Sequence, residues 1–412
     1  MRRLFVIGGA LFSAIVFSAC GGGSSSVPST VAPVQSAPLD DFRAALAAGH
    51  IAPSCDTAAP GEARCFAYVV TDKGREALGF RSTSASTASG YGPSDLQAAY
   101  GTGTAAATGG AGRLIAIVDA YNAATLEADL GVYRSHFGLP PCTTANGCFR
   151  KVNQNGGTTL PSNNASWGQE TSLDVDMVSA NCPLCHILVV ETNSASFADL
   201  STGVNTAAAL GAVAISNSYG GNESSSETSI APAYAHNGVA ITASAGDSGF
   251  GAQSPAAFNT VTAVGGTSLS RSSNARGWTE TVWSGSGSGC SAFIAKPLWQ
   301  HDPSCARRMI ADVSYDANPS TGVAVYDSTR YQGVSGWLVF GGTSVGAPAI
   351  AAIYGLAGTT VSDASFGYSH TSSLNDVTAG SNGTCSVAYF CQAETGYDGP
   401  TGNGTPIGTA AF

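Results

Sequence analysis

Residues 166–183 read SWGQETSLDVDMVSANCP, and the register of their charges decides how the rest of the chain is read. Ser166 followed three residues later by Gln169 has the form of a capping box, so the spacing predicts a helix opening there. Leu173 and Met177 are apolar neighbours on that helix, while Glu170 and Asp174 stand four apart and project from one face. Two like charges at that spacing destabilise an isolated helix, so their presence calls for a chemical reason. Asp176, two positions beyond Asp174, falls on a different face and reads as structural.

A second stretch supplies that reason. GGTSVGAPAI, residues 341–350, places Ser344 on a glycine-lined turn between the apolar run GWLVF and the small-residue, helix-like run AIAAIYGLAG. A serine hydroxyl is a poor nucleophile until a base removes its proton. GTSVG fits the GxSxG elbow of α/β-hydrolases, with Asp363 and His370 following in that fold's order, but an HGGG-type oxyanion loop is missing upstream. GDSGF at 246–250 suggests a chymotrypsin-like serine without its histidine context. In a subtilisin-like order, Asp119 ends the first strand in IAIVDAY and GTSxxxP closes the series. That order needs a histidine opening a helix between them, and none of His136, His186, His236 or His301 sits in a Gly-flanked helix start. Acidic side chains are the remaining bases. Asp119 itself reads as lining the site or capping the next helix, without a catalytic role.

The apolar runs RLIAIVDAY, CHILVVET, GAVAISNSYG, NGVAITASAGD and NTVTAVGGTS recur along the chain, with helix-like SFADLSTGVNTAAALG and ETSIAPAYAHNG between several of them. Continuous β-branched runs alternating with helices predict an α/β fold with a buried, mostly parallel central sheet. GTGTAAATGGAG, residues 101–112, reads as a surface loop.

Taken together, GQETSLDVD at 168–176, SAGDSG at 244–249 and GGTSVGAP at 341–348 resemble, in order, the motifs of the sedolisins, serine-carboxyl peptidases with a subtilisin-like fold. The resemblance runs from YGPSDLQAAYG to the C-terminus. It implies a three-layer subtilisin-like domain acting as a serine endopeptidase on polypeptide substrates, with Ser344 as nucleophile, Glu170 as general base, Asp174 orienting Glu170, and Asp247 at the oxyanion site. Asp247 must carry a proton while Glu170 must not, so activity is expected to peak on the acid side of neutrality. In the tail, LNDVTAGSNG and AETGYDGPTGNGTP resemble the family's calcium site, implying one Ca²⁺ held by the carboxylates of Asp376 and Asp398 and the backbone carbonyls of Val377, Glu394 and Gly396. Glu394 stands where relatives often carry glycine.

Composition bounds the compartment and partners. The net charge of −10, with no Lys/Arg cluster, argues against nucleic acid. MRRLFVIGGALFSAIVFSAC reads as a signal peptide over 1–19, and its FSAC ending resembles a bacterial lipobox that would lipidate Cys20 and attach the chain to a membrane. The expected product is an extracytoplasmic monomer, a cell-envelope lipoprotein or secreted. Residues 20–37 read as a tether, 38–90 as a short pro-segment or spacer, and 91–412 as the peptidase-like domain. With Cys20 set aside, the 11 cysteines leave five sequence-near pairs, 55/65, 142/148, 182/185, 290/305 and 385/391, as expected of local disulfides in an oxidising compartment. The CPLC spacing at 182–185 is therefore read as a loop staple, not a redox or zinc site. An esterase using Ser344, Asp363 and His370, or a non-catalytic binding protein on a peptidase scaffold, are the alternative functions.

Overall fold

The strand Leu114–Ala120 sends Ile115 and Ile117 to one face of the central sheet and Ala116 and Val118 to the other, and its neighbour His186–Thr192 splits Ile187 and Val189 from Leu188 and Val190 in the same way. Both faces are therefore apolar and both need a cover. The helices Ala165–Asn181 and Gly346–Ala357 bring Leu173, Met177, Ile350 and Ile353 to the first face, while Phe197–Ala209 brings Leu200 and Val204 to the second. The result is the expected three-layer α/β arrangement.

This computed structural model describes residues 41–79 and 88–412. The signal peptide, the lipobox Cys20 and the tether lie outside the described residues, as does most of the Ser/Thr-rich tract before residue 88. Across the main sheet the strands run Trp278–Val282, Thr262–Arg271, Ala240–Ser244, Ala214–Asn217, Leu114–Ala120, His186–Thr192 and Phe149–Asn153, with Val313–Asp316 also pairing Thr262–Arg271. Every pairing in this sheet is parallel except that of Trp278–Val282. All five expected cysteine pairs are disulfides.

The segment read as a pro-segment or spacer is woven into the same unit. Tyr68–Val70 lies antiparallel between Ile51–Pro53 and Val334–Gly341, and Arg64–Cys65 pairs antiparallel with Tyr219–Asn222. Phe42, on the helix Phe42–Ala47, packs edge-on against Tyr68 and Trp283.

Three local expectations are corrected. Residues Gly103–Thr108 form a helix where a loop was read, because alanines at 105–107 favour helix more than the flanking glycines oppose it. ETSIAPAYAHNG, residues 227–238, holds the end of one 3₁₀ turn, Ser225–Ser229, and all of a second, Ala231–Tyr234, with Pro232 in its second position. The helix starting near residue 166 begins one residue earlier, and its cap is Asn164, whose Oδ1 accepts the Ser166 and Trp167 N–H groups. Ser166 donates its hydroxyl to that same oxygen, so it supports the cap instead of forming it.

Candidate active site

Every residue from Ser166 to Asn181 is buried, including Glu170, Asp174 and Asp176. A helix sunk so deep places carboxyl groups where the ionised form is costly. Asp176 is accounted for structurally: its Oδ2 accepts the Tyr326 N–H at 3.0 Å, on the side facing the strand Val323–Tyr331.

Glu170 and Asp174 face the other way, towards Ser344. Burial raises the Glu170 carboxyl well above its ordinary range, the charge of Asp119 adds to the rise, the neighbouring Ser344 hydroxyl pulls against it, and Asp247 adds again. Burial likewise raises Asp174, followed by the charges of Asp119 and Glu170, with the Ser218 hydroxyl opposing. The four expected residues thus converge. Asp119 joins them at the end of its strand, pushed up to about 7 chiefly by burial. The charges of Asp119, Glu170 and Asp174 thus act on one another, so the three carboxyls titrate as an interacting group.

Ser344 is fully buried in a 3₁₀ turn, Thr343–Val345, that leads into the helix Gly346–Ala357. Its hydroxyl donates to Ser218 O at 3.1 Å, and both Glu170 carboxyl oxygens are without a hydrogen-bond partner among the described residues. Ser218 links the two halves, because its own hydroxyl donates to Asp174 Oδ1 at 2.8 Å.

Asp247 is held by Thr343, whose N–H and hydroxyl donate to Oδ1 at 2.8 and 2.7 Å. Burial pushes its carboxyl up to about 7 despite those bonds. Oδ2 has no partner among the described residues, so it is the oxygen placed to carry a proton. Gly342 separates it from the chain opposite. The residue has φ 106°, and a Cβ there would stand 2.6 Å from Asp247 Oδ2 and 2.2 Å from Phe66 O. Only glycine leaves that corner open.

The rival residues lie elsewhere in the hydrogen-bond network. His370 stacks on Phe366 with Nδ1 facing Phe366 O at 2.8 Å, and Asp363 Oδ1 accepts the Ser365 N–H. Neither is a hydrogen-bond partner of Ser344 among the described residues.

Sequence reasoning missed Ser218, Thr343 and Phe66, and read Asp119 as lining the site or capping the next helix. Asp119 carried a signal, a carboxylate ending an apolar strand. Ser218 follows another strand end in AISNSYG, but its two-way bridging has no local signature.

At the proposed calcium site, Gly396 N–H donates to Asp376 Oδ2 at 2.9 Å and Glu394 N–H to Asp398 Oδ2 at 3.1 Å. Thr401 donates its N–H and hydroxyl to Asp398 Oδ1. Burial pushes Asp398 up to about 7 against these bonds, and the charge of Asp376 adds to the rise. The two carboxylates therefore lie within each other's field, a repulsion a cation would relieve, so the hard-oxygen set fits Ca²⁺. Among the described residues no group of three or more His, Cys, Asp or Glu could hold a metal, so such an ion depends on main-chain carbonyls.

No family model matches the chain. It is 34% identical over 173 residues to sedolisin from Pseudomonas sp. (strain 101), covering 37% of this chain and 28% of that protein. It is 30% identical over 299 residues to kumamolisin from Bacillus sp. (strain MN-32), covering 62% of this chain and 52% of the relative. The chain thus spans about half or less of the curated relatives it matches. Among solved structures, Pseudomonas sedolisin, a serine-carboxyl proteinase complexed with pseudo-iodotyrostatin, superposes with TM-score 0.64 at 25% identity, covering 78% of this chain and 96% of that one. Fold and site define a subtilisin-like α/β protein with a carboxyl-flanked serine. The similarity to sedolisin, kumamolisin and the solved Pseudomonas sedolisin supports a place for the chain in the sedolisin family.

Proposed function

We propose that this protein is a serine-carboxyl endopeptidase. Ser344 attacks the scissile carbonyl while Glu170 takes its proton and returns it to the leaving amine. Asp174, steadied by Ser218, positions Glu170 and shares its proton. Protonated Asp247 and the Ser344 N–H receive the developing oxyanion. The observation carrying this reading is the free, buried Oδ2 of Asp247 across Gly342 from the Ser344 turn, together with a buried Glu170 carboxyl within the influence of the Ser344 hydroxyl. The test is cleavage of an unstructured peptide across acid and neutral pH, with the new termini identified by mass spectrometry. Hydrolysis of a simple ester with no peptide cleavage would favour the esterase.

Activity on the acid side of neutrality is part of the proposal, and it is supported by Asp247, which keeps its proton only below about 7. Glu170 must be ionised for the same step, which its burial opposes. Water entering an opened cleft would stabilise the ionised form.

The buried carboxyls also set a stability profile. Asp119, Asp247 and Asp327 each rise from 3.8 to about 7 on folding, mainly through burial. A native state that holds protons more tightly than the unfolded chain is most stable below the unfolded value and loses that advantage as pH rises through the native one. Each tenfold change in proton affinity is worth about 1.4 kcal/mol, so one such group costs on the order of 4 kcal/mol between about pH 4 and 7. The melting temperature should therefore climb on acidification over that window, and a calorimetric series with its maximum at or above neutrality would count against this account.

Calcium held by Asp376, Asp398 and the carbonyls of Val377, Glu394 and Gly396 is proposed as a structural ion tying residues 374–377 to 394–398. At about 100-fold over its dissociation constant an ion adds about 2.7 kcal/mol, which for a domain of this size corresponds to roughly 3–8 °C. Chelation should lower the melting temperature by that amount and calcium restore it. An unchanged melting curve after verified metal removal would defeat the assignment.

A further inference from the structure

The turn that follows Asp119 is strained and held from several sides. Asp119 is the penultimate residue of the strand Leu114–Ala120, and Tyr121, the first residue beyond it, has φ 63°, a left-handed backbone that side chains other than glycine rarely adopt. Tyr121 N–H donates to Thr192 O at 2.7 Å, which ties the turn to the neighbouring strand. Asn122 and Asn163 then form an isolated parallel bridge, in which Asn122 N–H donates to Ser162 O at 2.9 Å and Asn164 N–H to Asn122 O at 3.1 Å. Asn164 is the N-cap of the helix Ala165–Asn181, so the turn after Asp119 carries the start of the helix that bears Glu170. Ala123 packs on the same helix, where a Cβ at Gly168 would stand 3.9 Å from its methyl group.

Two charged side chains from the adjacent strands close on this turn. Lys151, on the edge strand Phe149–Asn153, places Nζ 2.7 Å from Asn122 Oδ1, 2.7 Å from Ala123 O and 3.3 Å from Glu191 Oε1, so each of the three ammonium protons has an acceptor. Glu191, on His186–Thr192, is in register with Asp119 on one side and Asn153 on the other, and its Oε1 also accepts the Ala123 N–H at 2.9 Å. The Glu191 side chain is fully buried and that of Lys151 is 15% exposed. Ordering a lysine and burying a carboxylate both oppose folding, so the arrangement calls for a reason beyond stability. Burial lifts the Glu191 carboxyl to about 7, with the Lys151 charge opposing. Two of the three Lys151 acceptors are neutral amide oxygens, so its hold on the turn outlasts protonation of Glu191 on the acid side.

We propose that Lys151, seated by Glu191, is a positioning residue for peptide cleavage: by fixing Asn122 and Ala123 it sets where the helix cap at Asn164 stands, and so where Glu170 meets Ser344. The inference rests on the peptidase reading. The hydrogen-bond partners of the Lys151 ammonium are Asn122 and Ala123, neither of them a reacting group, so its effect passes through the turn and the helix. Glu170 follows Asn164 by about 9 Å along the helix axis, at 1.5 Å per residue. A small tilt at the cap therefore displaces its carboxyl, and a misplacement of about 1 Å costs on the order of 100-fold in rate. Such a displacement acts on the proton transfer, so it falls on kcat and not on KM.

The experiment compares three variants of the intact chain, with its disulfides, against wild type on an unstructured peptide across acid and neutral pH, beside calorimetry and amide hydrogen exchange. Lys151→Met keeps the side-chain length and removes the ammonium, Lys151→Arg restores charge and donors, and Glu191→Gln keeps an oxygen for Ala123 and Lys151 without the charge. Lys151→Met should lose about 10–100-fold in kcat with KM within about 2-fold. Exchange at Ser166 and Trp167, whose N–H groups Asn164 caps, should quicken by about 10-fold in the same variant. Lys151→Arg and Glu191→Gln should both stay within about 3-fold of the wild-type kcat, because each keeps the hydrogen bonds to the turn. Full kcat in Lys151→Met would overturn the inference and leave the peptidase reading standing. So would a loss that tracks the melting temperature, without faster exchange at Ser166 and Trp167 and without recovery in Lys151→Arg. If wild type cleaves no peptide, the peptidase reading fails and the inference fails with it.

Discussion

Replacing Ser344 with alanine is expected to lower kcat/KM for peptide cleavage by about 10⁴–10⁶-fold, and Glu170→Ala by a comparable factor, because residues that act as one unit lose nearly the whole effect when either is removed. The double variant should be little worse than either single one. Fold should survive in both cases: Ser344→Ala deletes one hydroxyl, and Glu170→Ala removes a buried carboxyl whose oxygens have no hydrogen-bond partner among the described residues. His370→Ala, which removes a ring stacked on Phe366, should stay within about 2-fold of wild type, as a change remote from the reacting groups does. Loss of activity in His370→Ala with retention in Glu170→Ala would instead select the esterase alternative. A biological function intact in Ser344→Ala would select the non-catalytic one.

The second large effect concerns Asp247. With its carboxyl at about 7 the wild-type rate should fall as pH rises through that value, because an ionised Asp247 repels the oxyanion that its protonated form would stabilise. Asp247→Ala should cost about 10²–10³-fold at every pH, the usual loss for one oxyanion donor. Asp247→Asn is more telling. Its amide oxygen can keep the bonds from Thr343 while its NH₂ replaces the carboxyl proton, so it should retain activity within about 10-fold at acid pH and lose the decline above neutrality. A profile in Asp247→Asn that still falls through about 7 would mean that another group controls that limb.

How much of this was legible beforehand differs from residue to residue. Glu170 and Asp174 could be paired from their spacing, since helix geometry alone sets which side chains share a face. The strands could be placed because β-branched runs report burial on both sides of a parallel sheet. Residues 103–108 and 225–234 went astray where the local signal was mixed, with alanine against glycine in one and helix formers against Pro232 in the other. The cap was misplaced by two residues because Ser166 and Asn164 are both competent, and only the entering backbone chooses between them.

By itself, the sequence determined which groups are candidates for the chemistry and in what order they occur along the chain, because motif order and helix spacing are local properties of the backbone. Only the tertiary structure decided their proton affinities and their neighbours. Burial of a whole helix pushes the carboxyls upward, Ser218 bridges Asp174 to Ser344, and Phe66 reaches Ser344 from 278 positions away. Such effects depend on the loss of water and on contacts between distant segments, and neither leaves a period in the sequence.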